Sequence, residues 1–237
     1  MASVFAKRGY KGPYVEQAQK KLNSLPPHAG LDPDGNFGAR TEGAVMAFQS
    51  SKGLMADGVI GAFTDAVLFG KPFEKLKRRP PAVSQNNGKT CWAAATASWL
   101  QTRVDRKNYS MAQIIEGMQE EKAADGEGGL RIPSGQQVWE LLLGLRPVKQ
   151  SPGKFYAESA LARLNMCGPL MVGYKPASGH VGHVEVMWGT TIHREGPAIV
   201  TMDPLGTHSS YKVIRIEEIH GMTGKITTWF PTTPLIL

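Results

Sequence analysis

Gln85-Asn86-Asn87-Gly88-Lys89-Thr90-Cys91-Trp92-Ala93-Ala94-Ala95 is the most informative run of the sequence. A polar loop containing Gly88 runs straight into an alanine-rich series of strong helix formers, and Cys91 stands at the junction. A thiol in that place lies at a helix N-terminus, where the dipole and the free N–H groups favour the thiolate. Thr90 is the expected cap of the helix. Gln85, upstream in the same loop, is near enough to fold back and aim its side-chain amide beside the sulfur. A thiolate nucleophile with an amide donor is the beginning of an acyl-transfer site. A lone cysteine ahead of a helix is more often a small buried hydrophobe. The Gln spacing, the following Trp92 and the partner residues found downstream argue for chemistry instead.

Downstream, the helix from Cys91 is expected to reach about Arg103. Further helices are expected over Met111 to Glu120 with Ser110 as cap, over Ser134 to Leu143 capped by Ser134, and over Tyr156 to Asn165. Then the period changes. Pro169 to Tyr174, Gly182 to Trp188, Ala198 to Met202, Tyr211 to Ile216 and Lys225 to Phe230 read as strands. Helices first and strands after indicate an α+β fold, an antiparallel sheet packed on helices.

The Gln-x5-Cys-Trp-Ala pattern resembles the papain-like cysteine peptidases, including small bacterial effector versions. Papain-like folds share the order read above, with the nucleophile helix first and then a sheet carrying the base. The resemblance implies a catalytic His opening a strand. Gly182-His183-Val184-Glu185-Val186 puts His183 at the start of an alternating strand, and His183 leads. His180 competes but falls in the turn after Ala177 to Gly179. His193, His208 and His220 read as surface residues. Asp203 ends the strand beside the one that His183 begins, and Asp203-Pro204 resembles the third-member site of bacterial papain-like peptidases. It is also a candidate for a plain Asx-turn. In the mechanism these residues imply, His183 takes the Cys91 proton, Asp203 holds the ring, and Gln85 with the Cys91 N–H stabilises the oxyanion. Cys167 reads as a buried structural thiol; a Cys91–Cys167 disulfide would block the nucleophile. His180-x2-His183 lacks the helical motif of a zinc site, so neither metal nor cofactor is expected.

Upstream, Asp34-Gly35-Asn36-Phe37-Gly38-Ala39-Arg40-Thr41 recurs as Asp57-Gly58-Val59-Ile60-Gly61-Ala62-Phe63-Thr64. Each Asp-Gly marks a tight turn, and Thr41 and Thr64 are expected helix caps. One amphipathic helix carries Val15, Ala18, Gln19 and Leu22, a second Ala44, Val45, Ala47 and Phe48, and a third Ala66, Val67 and Leu68. The pattern resembles the three-helix peptidoglycan-binding domain of cell-wall enzymes. That resemblance implies glycan contacts from Asp34, Phe37, Arg40, Thr41 and Gln49, with core packing as the other reading of Phe37. The expected division is a binding domain over residues 1–70, a basic Pro-containing linker over 71–84, and a hydrolase domain over 85–237.

The composition allows this. The 237 residues are 41% hydrophobic and 20% charged, enough for a sizeable core. A net charge of +7 favours anionic partners such as nucleic acid, anionic lipid or an acidic wall polymer, but no nucleic-acid motif accompanies it. Two cysteines exclude a disulfide scaffold. No apolar run approaches a membrane span, and Met1 to Tyr10 lacks the apolar core of a Sec signal. The expectation is a cysteine hydrolase made in a bacterial cytoplasm and carried to the wall, acting there or in a target cell after delivery by a machine such as type VI secretion. Its substrate would be a peptidoglycan stem peptide or a protein, with an immunity protein or a secretion component as further partners. A phage endolysin-like amidase and a non-catalytic wall binder with an inert cysteine are the alternatives.

Overall fold

A computed structural model describes residues 4–26, 28–131, 134–175, 182–194, 196–206 and 210–232. The chain is α+β. The N-terminal part holds strand β1 (Val4–Ala6), helices α1 (Pro13–Ser24) and α2 (Ala39–Ser51), strand β2 (Ile60–Gly61) and helix α3 (Ala62–Phe69). Strand β3 (Glu74–Leu76) follows, then helices α4 (Cys91–Leu100), α5 (Met111–Glu120) and α6 (Ser134–Leu142). The remainder is β4 (Leu145–Gln150), α7 (Ala157–Cys167), β5 (Leu170–Lys175), β6 (His183–His193), β7 (Gly196–Met202), β8 (Tyr211–Arg215), α8 (Ile216–His220) and β9 (Thr223–Pro231).

The large sheet runs β4-β9-β5-β6-β7-β8, every pairing antiparallel, with β3 added to β6. One face carries α4, α5 and α6 over a core of Trp92, Trp99, Trp139, Met171, Val186, Met202 and Trp229. The other face carries α7 and α8, and its core (Leu164, Leu170, Val172, Met187, Ile199, Ile214) is continuous with that of the N-terminal helices. The Met55 N–H also donates to Glu158 Oε1 on α7 at 3.3 Å. The N-terminal helices therefore dock behind the sheet, opposite α4.

Several boundaries differ from the sequence reading. The segment expected as a linker is laid down on the sheet. Glu74–Leu76 pairs with Thr191–Gly189, the Lys77 N–H donates to Trp188 O at 2.8 Å, and Ser98 Oγ donates to Pro81 O at 2.7 Å. The reason is geometric: β5 covers only the first half of the long strand β6, so the second half needs a partner. Gly189 permits the approach, since a Cβ there would stand 2.4 Å from Leu76 Cδ2. Helix α4 stops at Leu100, short of Arg103. Strand β8 gives way to α8 at Ile216, and β4, an edge strand containing Pro147, did not announce itself by periodicity.

Candidate active site

Every residue of α4 is buried. Its alanines let the helix lie close to β5 and β6, and its polar side chains are satisfied internally. Thr96 Oγ1 donates to Trp92 O (2.6 Å) and accepts from Trp139 Nε1 (2.9 Å), while Trp99 Nε1 donates to Pro169 O (2.8 Å). Trp92 Nε1 reaches Gly128 O at 3.1 Å, tying the helix start to the loop that forms one cleft wall. Thr90 stands before the helix without capping it. Its hydroxyl accepts from the Asn86 and Asn87 N–H groups (3.1 and 3.3 Å) and donates to Asn87 O, so it fastens the preceding loop. The first-turn donors of α4 are thus left without a side-chain acceptor, at the cysteine.

Cys91 and His183 line one cleft of about 520 Å³, together with Trp92, Trp139, Trp229 and Lys149 among others. The Cys91 sulfur lies 4.0 Å from Gly182 O, in the same cleft as the His183 ring, whose titration it influences. His183 opens β6, and its Nε2 is 2.6 Å from Asp203 Oδ1, just past the end of β7. The register explains the meeting: Val186 pairs with Met202, so the start of one strand faces the end of the other. Asp203 also accepts the Leu205 N–H at 2.9 Å, so the Asx-turn and the His contact coexist.

Behind this trio sits a charged cluster that the sequence reading did not foresee. Glu185, fully buried, places Oε1 3.6 Å from His183 Nε2 and accepts from the Tyr174 hydroxyl. Lys212 Nζ bridges the two carboxylates, 2.5 Å from Glu185 and 2.8 Å from Asp203. His183, Glu185 and Asp203 are close enough to form a metal-like cluster, but the Lys212 ammonium already lies against both acids. Burial works against the charged ring. The hydrogen bond to Asp203, the neighbouring Cys91 sulfur and the charge of Glu185 overcome it, and His183 is pushed up to about 9. Burial likewise opposes ionised Asp203, but its bonds to His183, Lys212 and the Leu205 N–H hold it well below the usual carboxylate range. Burial and the adjacent Glu185 push the Tyr174 hydroxyl far up, so it stays a donor.

Gln85 donates one amide N–H to Asn87 O at 2.7 Å, and its Oε1 is buried without a partner among the described residues. An amide has two N–H donors, so a second is uncommitted among the described residues, but Gln85 is not among the residues that line the cleft with Cys91. Its backbone N–H holds Pro204 O at 3.0 Å, joining the nucleophile loop to the Asp203 turn. His180 and His208 lie outside the described residues. His193 is exposed at the end of β6, and His220 Nε2 contacts Phe155 O at 2.8 Å. Both cysteines are free. Cys167 is half-buried, with burial pushing its thiol up.

In the N-terminal module three of the five expected glycan contacts belong to the interior. Phe37, Thr41 and Gln49 are 2, 3 and 1% exposed. The repeated motif builds two equal clamps. Gln19 Nε2 donates to Asp34 Oδ1 (2.9 Å), Asn36 O (3.0 Å) and Thr41 Oγ1 (3.1 Å), and its Oε1 takes the Gly35 N–H (3.0 Å). Gln49 repeats this with Asp57 (2.9 Å), Val59 O (2.9 Å), Thr64 (3.1 Å) and the Gly58 N–H (2.9 Å). Both turn glycines have positive φ, at 71° and 73°. Thr41 and Thr64 are therefore clamp acceptors inside their helices, which Gly38 and Gly61 precede. Asp34 is exposed but holds the clamp. Arg40 is exposed on the rim of a roughly 300 Å³ apolar groove lined by Leu22, Leu31, Ala44 and Phe48.

Residues 77–215, more than half of the chain, match the family of the papain-like cysteine protease AvrRpt2. Residues 11–68 match the peptidoglycan-binding domain family. A search of curated proteins returned no match.

Proposed function

The chain belongs to the family of the papain-like cysteine protease AvrRpt2 and also carries a peptidoglycan-binding domain, and from that premise we propose a wall-targeted cysteine hydrolase that cleaves amide bonds through Cys91, His183 and Asp203. One observation carries the reading: a single cleft holds the Cys91 sulfur and an imidazole whose Nε2 is 2.6 Å from a carboxylate. Cys91 gives its proton to His183, and Asp203 fixes the ring. The thiolate adds to the amide carbonyl, and the oxyanion is met by the Cys91 N–H and Gln85. His183 returns the proton to the leaving amine, and water then releases the acyl group.

The proposed division of labour follows residues 1–70 and 85–237, with 71–84 as a basic strap between them. The apolar groove beside Arg40 is the proposed glycan seat, since it is open where the repeated clamps are closed. We place the action in the cell wall or periplasm of a target bacterium, as an exported effector toxin delivered by a secretion machine such as type VI secretion, with an immunity protein as natural partner. The wall-binding domain supports that placement. A second reading, cleavage of a protein, is favoured by the protease family itself.

Purified peptidoglycan and casein, each digested with the wild type and with Cys91→Ala and analysed by mass spectrometry, separate the two. New stem-peptide termini that vanish in Cys91→Ala support the wall reading, and casein fragments alone support the second. Products that persist in Cys91→Ala refute the mechanism in either form.

A further inference from the structure

The floor of the cleft has a direction. Lys149 on β4 pairs with Thr227 on β9, Thr227 with Gly173 on β5, and Gly173 with Val184 on β6, and all four line the cleft. This row starts at the neighbour of His183 and ends at an ammonium. Gly173 keeps it flat, since a Cβ there would stand 2.5 Å from the Trp229 ring. Along β9 the lining residues are Lys225, Thr227 and Trp229, so the floor changes from aromatic to cationic within one strand. Lys149 and Lys225 are exposed, and neither forms an ion pair among the described residues. The cleft's one lining carboxylate among those residues, Asp125, already accepts the Gly129 (2.8 Å) and Glu127 (3.0 Å) N–H groups. Two unpaired cations therefore face a cleft whose own acid is engaged.

We propose that this end of the cleft selects substrates by a carboxylate, held by Lys149 and Lys225. The row crosses three strand spacings, about 14 Å in all. An extended substrate covers about 3.4 Å per residue, and the lysine side chains reach inward. The carboxylate thus stands about two to four residues from the scissile amide. It can come from an acidic side chain of a protein or from the free α-carboxylate of a γ-linked D-glutamate in a wall stem peptide. The inference rests on the cleft being the substrate site of the proposed hydrolase.

The test uses two probe pairs: synthetic peptides differing only in Glu or Gln at each of those positions, and stem peptides bearing D-isoglutamate or D-isoglutamine. Binding of each to the full-length Cys91→Ala protein is read by fluorescence anisotropy, and cleavage by the wild type is read by mass spectrometry. The acid form of at least one pair is expected to bind about tenfold more tightly, the size of one charge-assisted contact. That ratio collapses toward one when Lys149→Gln and Lys225→Gln are added. The pair that responds identifies the source of the carboxylate. Equal binding within both pairs, or a preference that survives the double substitution, overturns the proposal. A binding preference without any Cys91-dependent cleavage leaves the carboxylate seat standing and removes the hydrolase reading instead.

Discussion

Replacing Glu185 with Gln keeps the side chain's shape and removes one buried charge 3.6 Å from His183 Nε2. At an effective dielectric near 20, an acid and an imidazolium at that distance attract by about 4–5 kcal/mol. Lys212, 2.5 Å from the same oxygen, cancels much of this, so a drop of about one to two pH units in the His183 titration is expected. The sign follows from which form is favoured: Glu185 supports the charged ring, so its loss lowers the value from about 9. In the assay, kcat/KM on a cleaved peptide is followed from pH 5 to 10. The wild type loses activity near 9, and Glu185→Gln loses it a unit or more lower. Stability should move in parallel. His183 stands above its ordinary 6.5, so its contribution is complete below about 6.5 and disappears as pH rises through 9. Urea midpoints should therefore fall between those pH values in the wild type and over a narrower window in Glu185→Gln. An unmoved alkaline limb in a folded Glu185→Gln protein refutes the electrostatic reasoning.

Three further outcomes follow from the packing. Lys212→Met leaves two neighbouring carboxylates with the His183 ring as their one close cation among the described residues and should cost about 2–3 kcal/mol by urea unfolding, less than a fully enclosed pair because Lys212 is 37% exposed. Gln49→Ala strands the Gly58 N–H and removes the amide that three acceptors share, so the N-terminal helices should lose at least about 2 kcal/mol; amide exchange in α2 reads this directly. Gly173→Ala drives a methyl into the Trp229 ring, and a loss of about 1–3 kcal/mol with altered tryptophan fluorescence is expected.

The sequence was most legible where chemistry and local pattern coincide. Cys91 before an alanine helix, His183 opening an alternating strand and Asp203 closing the next needed no long-range information beyond one hairpin. Glu185 was within reach by the same alternation, since period two puts it on the face of His183. A glutamate in a strand normally reads as a wet position, and its counter-ion comes from β8, two strands away, which local sequence does not reveal. The Asp-Gly repeat misled differently. Residues that recur in a motif can serve the fold, and here Thr41 and Gln49 are spent on the clamps. Strand β3 was hidden because three exposed residues beside a lysine-rich run carry no periodicity, and only the uncovered half of β6 calls for them.

If His183 activates the sulfur of Cys91, competition between the chain's two thiols will reveal it. Cys91 is only 6% exposed and Cys167 is half-buried, so access alone favours Cys167. With limiting iodoacetamide at pH 6 and peptide mapping, Cys91 should take the label first and lose that lead in His183→Ala. Labelling that favours Cys167, or a Cys91 rate indifferent to His183→Ala, means that His183 does not activate Cys91.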